Sequence, residues 1–357
     1  MTRRSFLAGI SPLMLTLACR RASDTRIIKP RGEQEILLTC DKHIQSIAER
    51  EIAAPLRSRI NNQSRKDSLP KDTDCALVCL ANDTGDVLAY IPTLLAGSEF
   101  DNNRRTGRDV GSVIKPLIYA EALEIGVITQ NDTFRDAPMS FPHRDGNGNY
   151  TVRNYHNGYT YRSLSIEDAI ALSSNVAMTQ AYHRIPLAAL REWISRLKLP
   201  EPDDLDRLQI GRWAIAPLQL ASAFTALAAE GRVARPKFIV TTKLSDGKQV
   251  DEPITKSEKV YSAHACETVS RGMRACLVKG TGQVAADLAS CARGKTGTSS
   301  TDALSVLQSR VITTVLWVGR RQYVDLGLAG GRTCMPLLAN LFRVLRRARP
   351  ELIPSWE

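Results

Sequence analysis

Gly111-Ser112-Val113-Ile114-Lys115-Pro116-Leu117-Ile118-Tyr119 is the stretch from which the rest of the chain is read. On a helix, residues three apart share a face, which predicts the Ser112 hydroxyl and the Lys115 amine within hydrogen-bond reach. A serine hydroxyl attacks an acyl carbon only when a nearby base takes its proton. Lysine is such a base only when neutral, so its pKa has to fall several units from about 10.4. Burial and a second nearby cation are the two means. Pro116 fits a first helical turn, whose N–H groups lack partners in any case. A helix N-terminus also favours developing negative charge. By itself the Ser-x-x-Lys spacing is weak evidence, since it recurs at Ser68 with Lys71, Ser195 with Lys198 and Ser245 with Lys248.

Two further motifs follow in order, Ser173-Ser174-Asn175 and Lys295-Thr296-Gly297-Thr298. Ser-x-x-Lys, Ser-Asp-Asn and Lys-Thr-Gly occur together in penicillin-binding proteins and class A β-lactamases. Here Ser174 stands in place of the middle Asp. Three short motifs at domain-scale spacing carry far more weight than any one of them.

Composition agrees. The 357 residues, 43% apolar and 24% charged, suit an ordinary globular protein with one large domain or two modest ones. The net charge of +11 invites a nucleic-acid reading. The tightest arginine clusters, however, lie near the ends (Arg3, Arg4, Arg20, Arg21; Arg343, Arg346, Arg347, Arg349), and no basic motif is interleaved with aromatics. No nucleic-acid partner is expected; an anionic membrane surface or cell-wall polymer suits the charge better. His43, His143, His156, His183 and His264 lack metal-ligand spacing and there is no Cys-x-x-Cys pair, so neither metal nor cofactor is expected. Gly294-Lys295-Thr296 does not end a P-loop, because Ala289 occupies the place of its first glycine.

The N-terminus reads as an export signal over residues 1–19. Thr2-Arg3-Arg4-Ser5-Phe6-Leu7 opens an apolar run from Phe6 to Ala18, shorter than the ~20 residues of a spanning helix. A basic start, a short apolar core and a small residue before Cys19 make a signal peptide. The paired arginines resemble a twin-arginine signal. Leu15-Thr16-Leu17-Ala18-Cys19 resembles a lipobox with departures at Thr16 and Leu17, which makes Cys19 the expected lipidation site. Residues 20–74 are expected to be tether and linker helix, and 75–350 the catalytic domain. The odd number of cysteines left after Cys19 leaves at least one unpaired, and buried small hydrophobes are the better account of them.

Along the chain, apolar spacing predicts a helix over 41–56. A hairpin over 76–91 turns at Asp83-Thr84-Gly85-Asp86. Residues 136–163 read as irregular, followed by helices at 165–182, 187–197 and 214–230. Strand and turn alternate over 237–260, a helix covers 267–278, a strand 311–318, and a closing helix 336–347.

From about residue 75 to 345 the chain resembles the transpeptidase domain of class A penicillin-binding proteins, nearest the penicillin-binding protein 1C branch. Besides the three motifs, the likeness rests on Leu80 to Ala89, Gly111 to Leu123, Ala216 to Gly231, Lys279 to Gly282, and Gly330-Gly331 with Pro336. Val110 replaces the family's usual proline before Gly-Ser. The glycosyltransferase domain that such proteins carry upstream is not expected, because the ~50 residues after the signal are too few for a domain of ordinary size. The resemblance implies an α+β, penicillin-binding protein/serine β-lactamase-like fold: an antiparallel sheet flanked by helices, plus an all-helical subdomain, with the active site between.

It also implies roles. Ser112 attacks, Lys115 takes its proton, Ser173 relays a proton, Asn175 orients Lys115, and Lys295 supplies positive charge. Thr296, Gly297 and Thr298 bind the substrate carboxylate and complete an oxyanion hole. The implied partners are peptidoglycan stem peptides, β-lactams, a separate glycosyltransferase, and the membrane through the N-terminal lipid. A DD-carboxypeptidase, a serine β-lactamase and a non-catalytic β-lactam sensor or scaffold share the same motifs.

Overall fold

A strand that is apolar on both faces has to lie between two cores, and Thr73–Ala81 (β1) is such a strand. Ala76, Val78 and Leu80 enter one core, while Cys75, Leu77 and Cys79 enter the other. The computed structural model describes residues 27–28, 35–95, 101–104, 108–244, 248–252, 257–320, 324 and 327–356. The expected export signal and Cys19 lie outside the described residues.

With β1 run Val87–Ile91 (β2), Arg293–Thr298 (β3), Asp302–Gln308 (β4) and Ile312–Arg320 (β5). They form one antiparallel sheet in the order β3-β4-β5-β1-β2. The Lys-Thr-Gly-Thr segment is therefore an edge strand. On one face lie the helices Lys115–Glu124 (α1), Ile166–Leu172 (α2), Asn175–His183 (α3), Pro217–Ala228 (α4) and Ala263–Lys279 (α5). The other face is covered by Gly330–Ala348 (α6) and by an N-terminal helical run. This is the α+β architecture implied by the sequence. α1 is buried all round from Lys115 to Leu123, the pattern of a core helix.

The N-terminal run extends to Asn61, further than its apolar spacing indicates, and its middle turn is π-helical over Glu49–Ala53. Pro55 follows at once and has no N–H to donate to the preceding turn. Gln45 on this run seals the sheet edge: its amide donates to Tyr90 O at 3.2 Å and accepts from Tyr90 N at 2.7 Å.

Four readings need correction. The helical pattern over 165–182 is two helices, because Ser173 adopts φ 60°, ψ 34° and ends α2. The stretch 136–163 contains a hairpin, Met139–Pro142 with Asn149–Val152, turning at Asp145-Gly146-Asn147-Gly148. The strand Asp302–Gln308 went unread. Within the expected tether and linker, Ile27–Ile28 and Glu35–Leu38 pair with each other, and Glu35–Leu38 with Ile239–Lys243, in a second sheet. The seven described cysteines are all buried, and Cys75, Cys79, Cys266, Cys276, Cys291 and Cys334 are free thiols.

Gly111 fixes how closely the nucleophile turn meets the sheet. Its φ is +54°, and a Cβ there would sit 2.6 Å from Thr298 N and 2.7 Å from Thr298 O. Gly297, on the opposing strand, would place a Cβ 2.3 Å from Val110 O. Gly111→Ala is expected to cost about 1–3 kcal/mol, seen as a lower urea midpoint at constant slope. An unchanged midpoint would mean that the turn can leave β3 freely.

Candidate active site

Val110 caps a single 3₁₀ turn, Gly111–Ile114, that runs straight into α1. Ser112 thus lies in a first turn, where helix geometry leaves its N–H without a carbonyl partner, and Pro116 occupies a position that needs no N–H. Lys115 points into the protein and is fully buried.

The break at Ser173 is what receives it. Ending a helix leaves carbonyls unpaired, and Lys115 Nζ donates to Ser173 O at 2.6 Å. Ser174 then N-caps α3 through Ala177 N at 3.0 Å, which places Asn175 Oδ1 2.6 Å from the same Nζ. The expected hydrogen bond between Ser112 and Lys115 is absent; among the described residues Ser112 Oγ has no hydrogen-bond partner. A neutral amine has two N–H donors and one lone pair. Both donors are used by Ser173 and Asn175, so the lone pair is what remains for the Ser112 proton.

Lys295, on edge strand β3 and also fully buried, donates to Ser173 Oγ at 2.9 Å and to Thr296 O at 2.8 Å. Burial first, and the Lys295 charge second, hold Lys115 well below the ordinary lysine pKa, while Asp136 pulls it upward. Burial brings Lys295 down to about 8, with Cys276 opposing. Both amines therefore give up a proton more readily than an exposed lysine does.

Ser112, Ser173, Asn175, Thr296 and Thr298 line one cavity of about 1010 Å³, with Lys115, Lys295 and Gly297 behind its wall. Thr296 Oγ1 lies 2.5 Å from Thr281 Oγ1. Thr298 Oγ1 accepts from Gly330 N, the first residue of α6, at 3.0 Å. All eight expected active-site residues thus come together. The arrangement can do acyl transfer: two hydroxyls, two buried amines and the backbone donors of a helix start and an edge strand surround one space.

A model of the penicillin binding protein transpeptidase domain matches residues 75–319. The chain belongs to the penicillin-binding protein transpeptidase family. It is 27% identical over 292 residues to penicillin-binding protein 1A of Aquifex aeolicus, covering 80% of this chain and 40% of that protein. To penicillin-binding protein 1F of Bacillus subtilis it is 27% identical over 241 residues, 66% of this chain and 32% of that one. The chain therefore spans well under half of either relative. Among solved structures, penicillin-binding protein 1A from Haemophilus influenzae superposes with a TM-score of 0.77 at 17% identity, over 91% of this chain and 67% of that one. PonA1 from Mycobacterium tuberculosis gives 0.74 at 19%, over 88% and 85%. These likenesses show the penicillin-binding protein fold.

Residue patterns missed Asp136 and Asn154. The Asp136 carboxylate accepts from Ser174 Oγ at 2.7 Å, Asn154 Nδ2 at 2.6 Å and Thr160 N at 2.7 Å. Burial works to raise its pKa, but these donors outweigh burial and hold it below the usual carboxylate range. Asn154 Oδ1 in turn accepts from Asn175 N at 2.8 Å. The carboxylate lacking at position 174 is thus supplied from outside the motif. A serine in an aspartate's place signalled a need for a partner, but not which one.

Two outcomes follow for acylation by a β-lactam. Its rate should fall as pH rises through about 8, where Lys295 loses its proton. Lys295→Arg, which stays charged, should move that alkaline limb up by more than a unit; a limb that stays put assigns it to another group. Asp136→Asn removes the charge that raises the Lys115 pKa, so the acid limb should move to lower pH. The looser Ser174 turn should slow acylation about tenfold, as for one lost charge-assisted hydrogen bond. An unshifted acid limb would deny Asp136 its electrostatic part.

Proposed function

We propose that this protein is a peptidoglycan DD-transpeptidase that cross-links stem peptides through an acyl-Ser112 intermediate. The observation that carries this reading is the convergence on Lys115 Nζ of Ser173 O and Asn175 Oδ1, which leaves a buried amine with only its lone pair to offer.

In this mechanism Ser112 Oγ attacks the penultimate D-Ala carbonyl while Lys115 takes the hydroxyl proton. The N–H groups of Ser112 and Thr298 stabilise the oxyanion. As the C–N bond breaks, Ser173, held by Lys295, passes a proton to the leaving amine and D-Ala departs. Thr296 and Thr298 hold the substrate's terminal carboxylate next to the Lys295 charge. The amine of a second stem peptide then attacks the acyl-enzyme and regenerates Ser112. β-Lactams imitate the donor but tether their leaving group, so the ester persists. Among the described residues no helix is long and apolar enough to cross a membrane. The reading places the enzyme outside the cytoplasm, held by lipid on Cys19, and fed with nascent glycan by a separate glycosyltransferase.

The test is labelling of the purified protein with a fluorescent penicillin, followed by intact mass over hours. A persistent adduct on Ser112 that vanishes in Ser112→Ala is expected. Rapid loss of the adduct would point to a β-lactamase, and no adduct at all to an idle scaffold. Anchoring is checked separately: metabolic lipid labelling should disappear in Cys19→Ala. The partnership fails if no glycan polymerase cross-links to the protein in cells.

A further inference from the structure

Three arginines border the cavity that holds Ser112, and each arrives from a different part of the fold. Arg153 follows the hairpin strand Asn149–Val152. Arg212 follows Gly211, whose carbonyl accepts from Gly111 N at 3.0 Å beside the nucleophile turn. Arg332 lies in the first turn of α6. All three are exposed, and none forms an ion pair among the described residues. Several arginines elsewhere are matched, among them Arg196 with Glu121, Arg320 with Asp72, Arg343 with Asp287 and Arg349 with Asp41.

The two carboxylates that line the cavity, Asp109 and Asp136, make no ion pair with this rim among the described residues. Asp136 is spent on its three donors. Asp109 lies within electrostatic reach of Arg212, but the two form no ion pair among the described residues. Arg332 is also misplaced for its own helix, whose N-terminus favours acidic side chains and disfavours cations. Guanidinium groups bind carboxylates as planar, two-pronged donors. The substrate's terminal carboxylate already has Thr296 and Thr298 in the reading above, so the rim is left for carboxylates further back along the peptide.

We infer that Arg153, Arg212 and Arg332 form a carboxylate-reading rim, and that the preferred donor is a D-alanyl-D-alanine-ended peptide whose upstream side chains carry free carboxylates rather than amides. This rests on the transpeptidase reading and narrows its substrate. The rim selects among peptides and leaves the acylation chemistry to Ser112 and the buried lysines.

The experiment uses the full chain purified in detergent and two synthetic peptides that differ only in an upstream carboxylate or its amide. D-Ala release from each is measured as kcat/KM, beside the second-order rate of acylation by benzylpenicillin. The wild type should favour the acid peptide about tenfold, from several exposed ion pairs acting together. The preference should shrink in 1 M salt, where exposed charges are screened. In the triple variant Arg153→Gln, Arg212→Gln, Arg332→Gln it should fall below about twofold, with penicillin acylation unchanged. Equal use of both peptides by a wild type that penicillin still acylates overturns this inference alone. So does a preference that survives the triple variant, or a triple variant that loses penicillin acylation. A wild type that reacts with neither penicillin nor peptide overturns the transpeptidase reading, and the rim with it.

Discussion

The structure depends on one buried amine. An ammonium taken out of water without an anion beside it is so unfavourable that the group gives up its proton instead. Lys115 is in that position: carbonyl and amide oxygens meet it, and among the described residues no carboxylate does. Much of the surrounding architecture serves to keep it there. α1 is buried on every side, the sheet closes one flank, and α2 and α3 close another. The interruption between α2 and α3 is part of the same device, since an unbroken helix would have used the Ser173 carbonyl for its own ladder.

Glycines on the facing backbones set the distance between the hydroxyl and the sheet. Gly111 and Gly297 let the nucleophile turn lie against β3. Gly330 does the same for α6, since a Cβ there would meet Gly297 O and Leu304 O at 2.2 Å. Three segments far apart in sequence are thereby held backbone to backbone around Thr298. Side-chain contacts at such a junction would leave room for rotamer change; backbone contacts leave far less, which suits a site needing fixed donors. The second core, beneath β1 and α6, stiffens the sheet from behind, with Cys75, Cys79 and Cys334 as small apolar fillers.

Legibility followed range. The three motifs were readable because the chemistry needs those residue types close together, and a helix start, a helix break and a strand present them. The long helices and the hairpin at Asp83-Thr84-Gly85-Asp86 followed from periodicity and turn residues. The break at Ser173 did not, because its left-handed φ falls on serine rather than glycine and apolar spacing continues across it. The hairpin at Asp145-Gly146-Asn147-Gly148 carried an ordinary turn signal that surrounding prolines and glycines obscured. The contact of Asp136 with Ser174 spans 38 residues, and no local pattern encodes it. Lys115 lies on the expected face of its helix. Its hydrogen bonds go instead to Ser173 O and Asn175 Oδ1, which belong to other elements.

The two kinds of cation in the site divide the work according to their acidity. Lysine changes charge readily when desolvated, whereas arginine keeps its charge in any protein environment. Lys115 and Lys295 are buried, and burial lowers both, which suits the parts of base and charge proposed for them. Arg153, Arg212 and Arg332 stay in contact with water, where burial has no such effect. An arginine at position 115 would keep its proton and offer no lone pair. A lysine on the rim would retain charge but lose the planar fork that tells a carboxylate from an amide. On the proposed reading, proton transfer belongs to the interior of this cleft and charge recognition to its mouth.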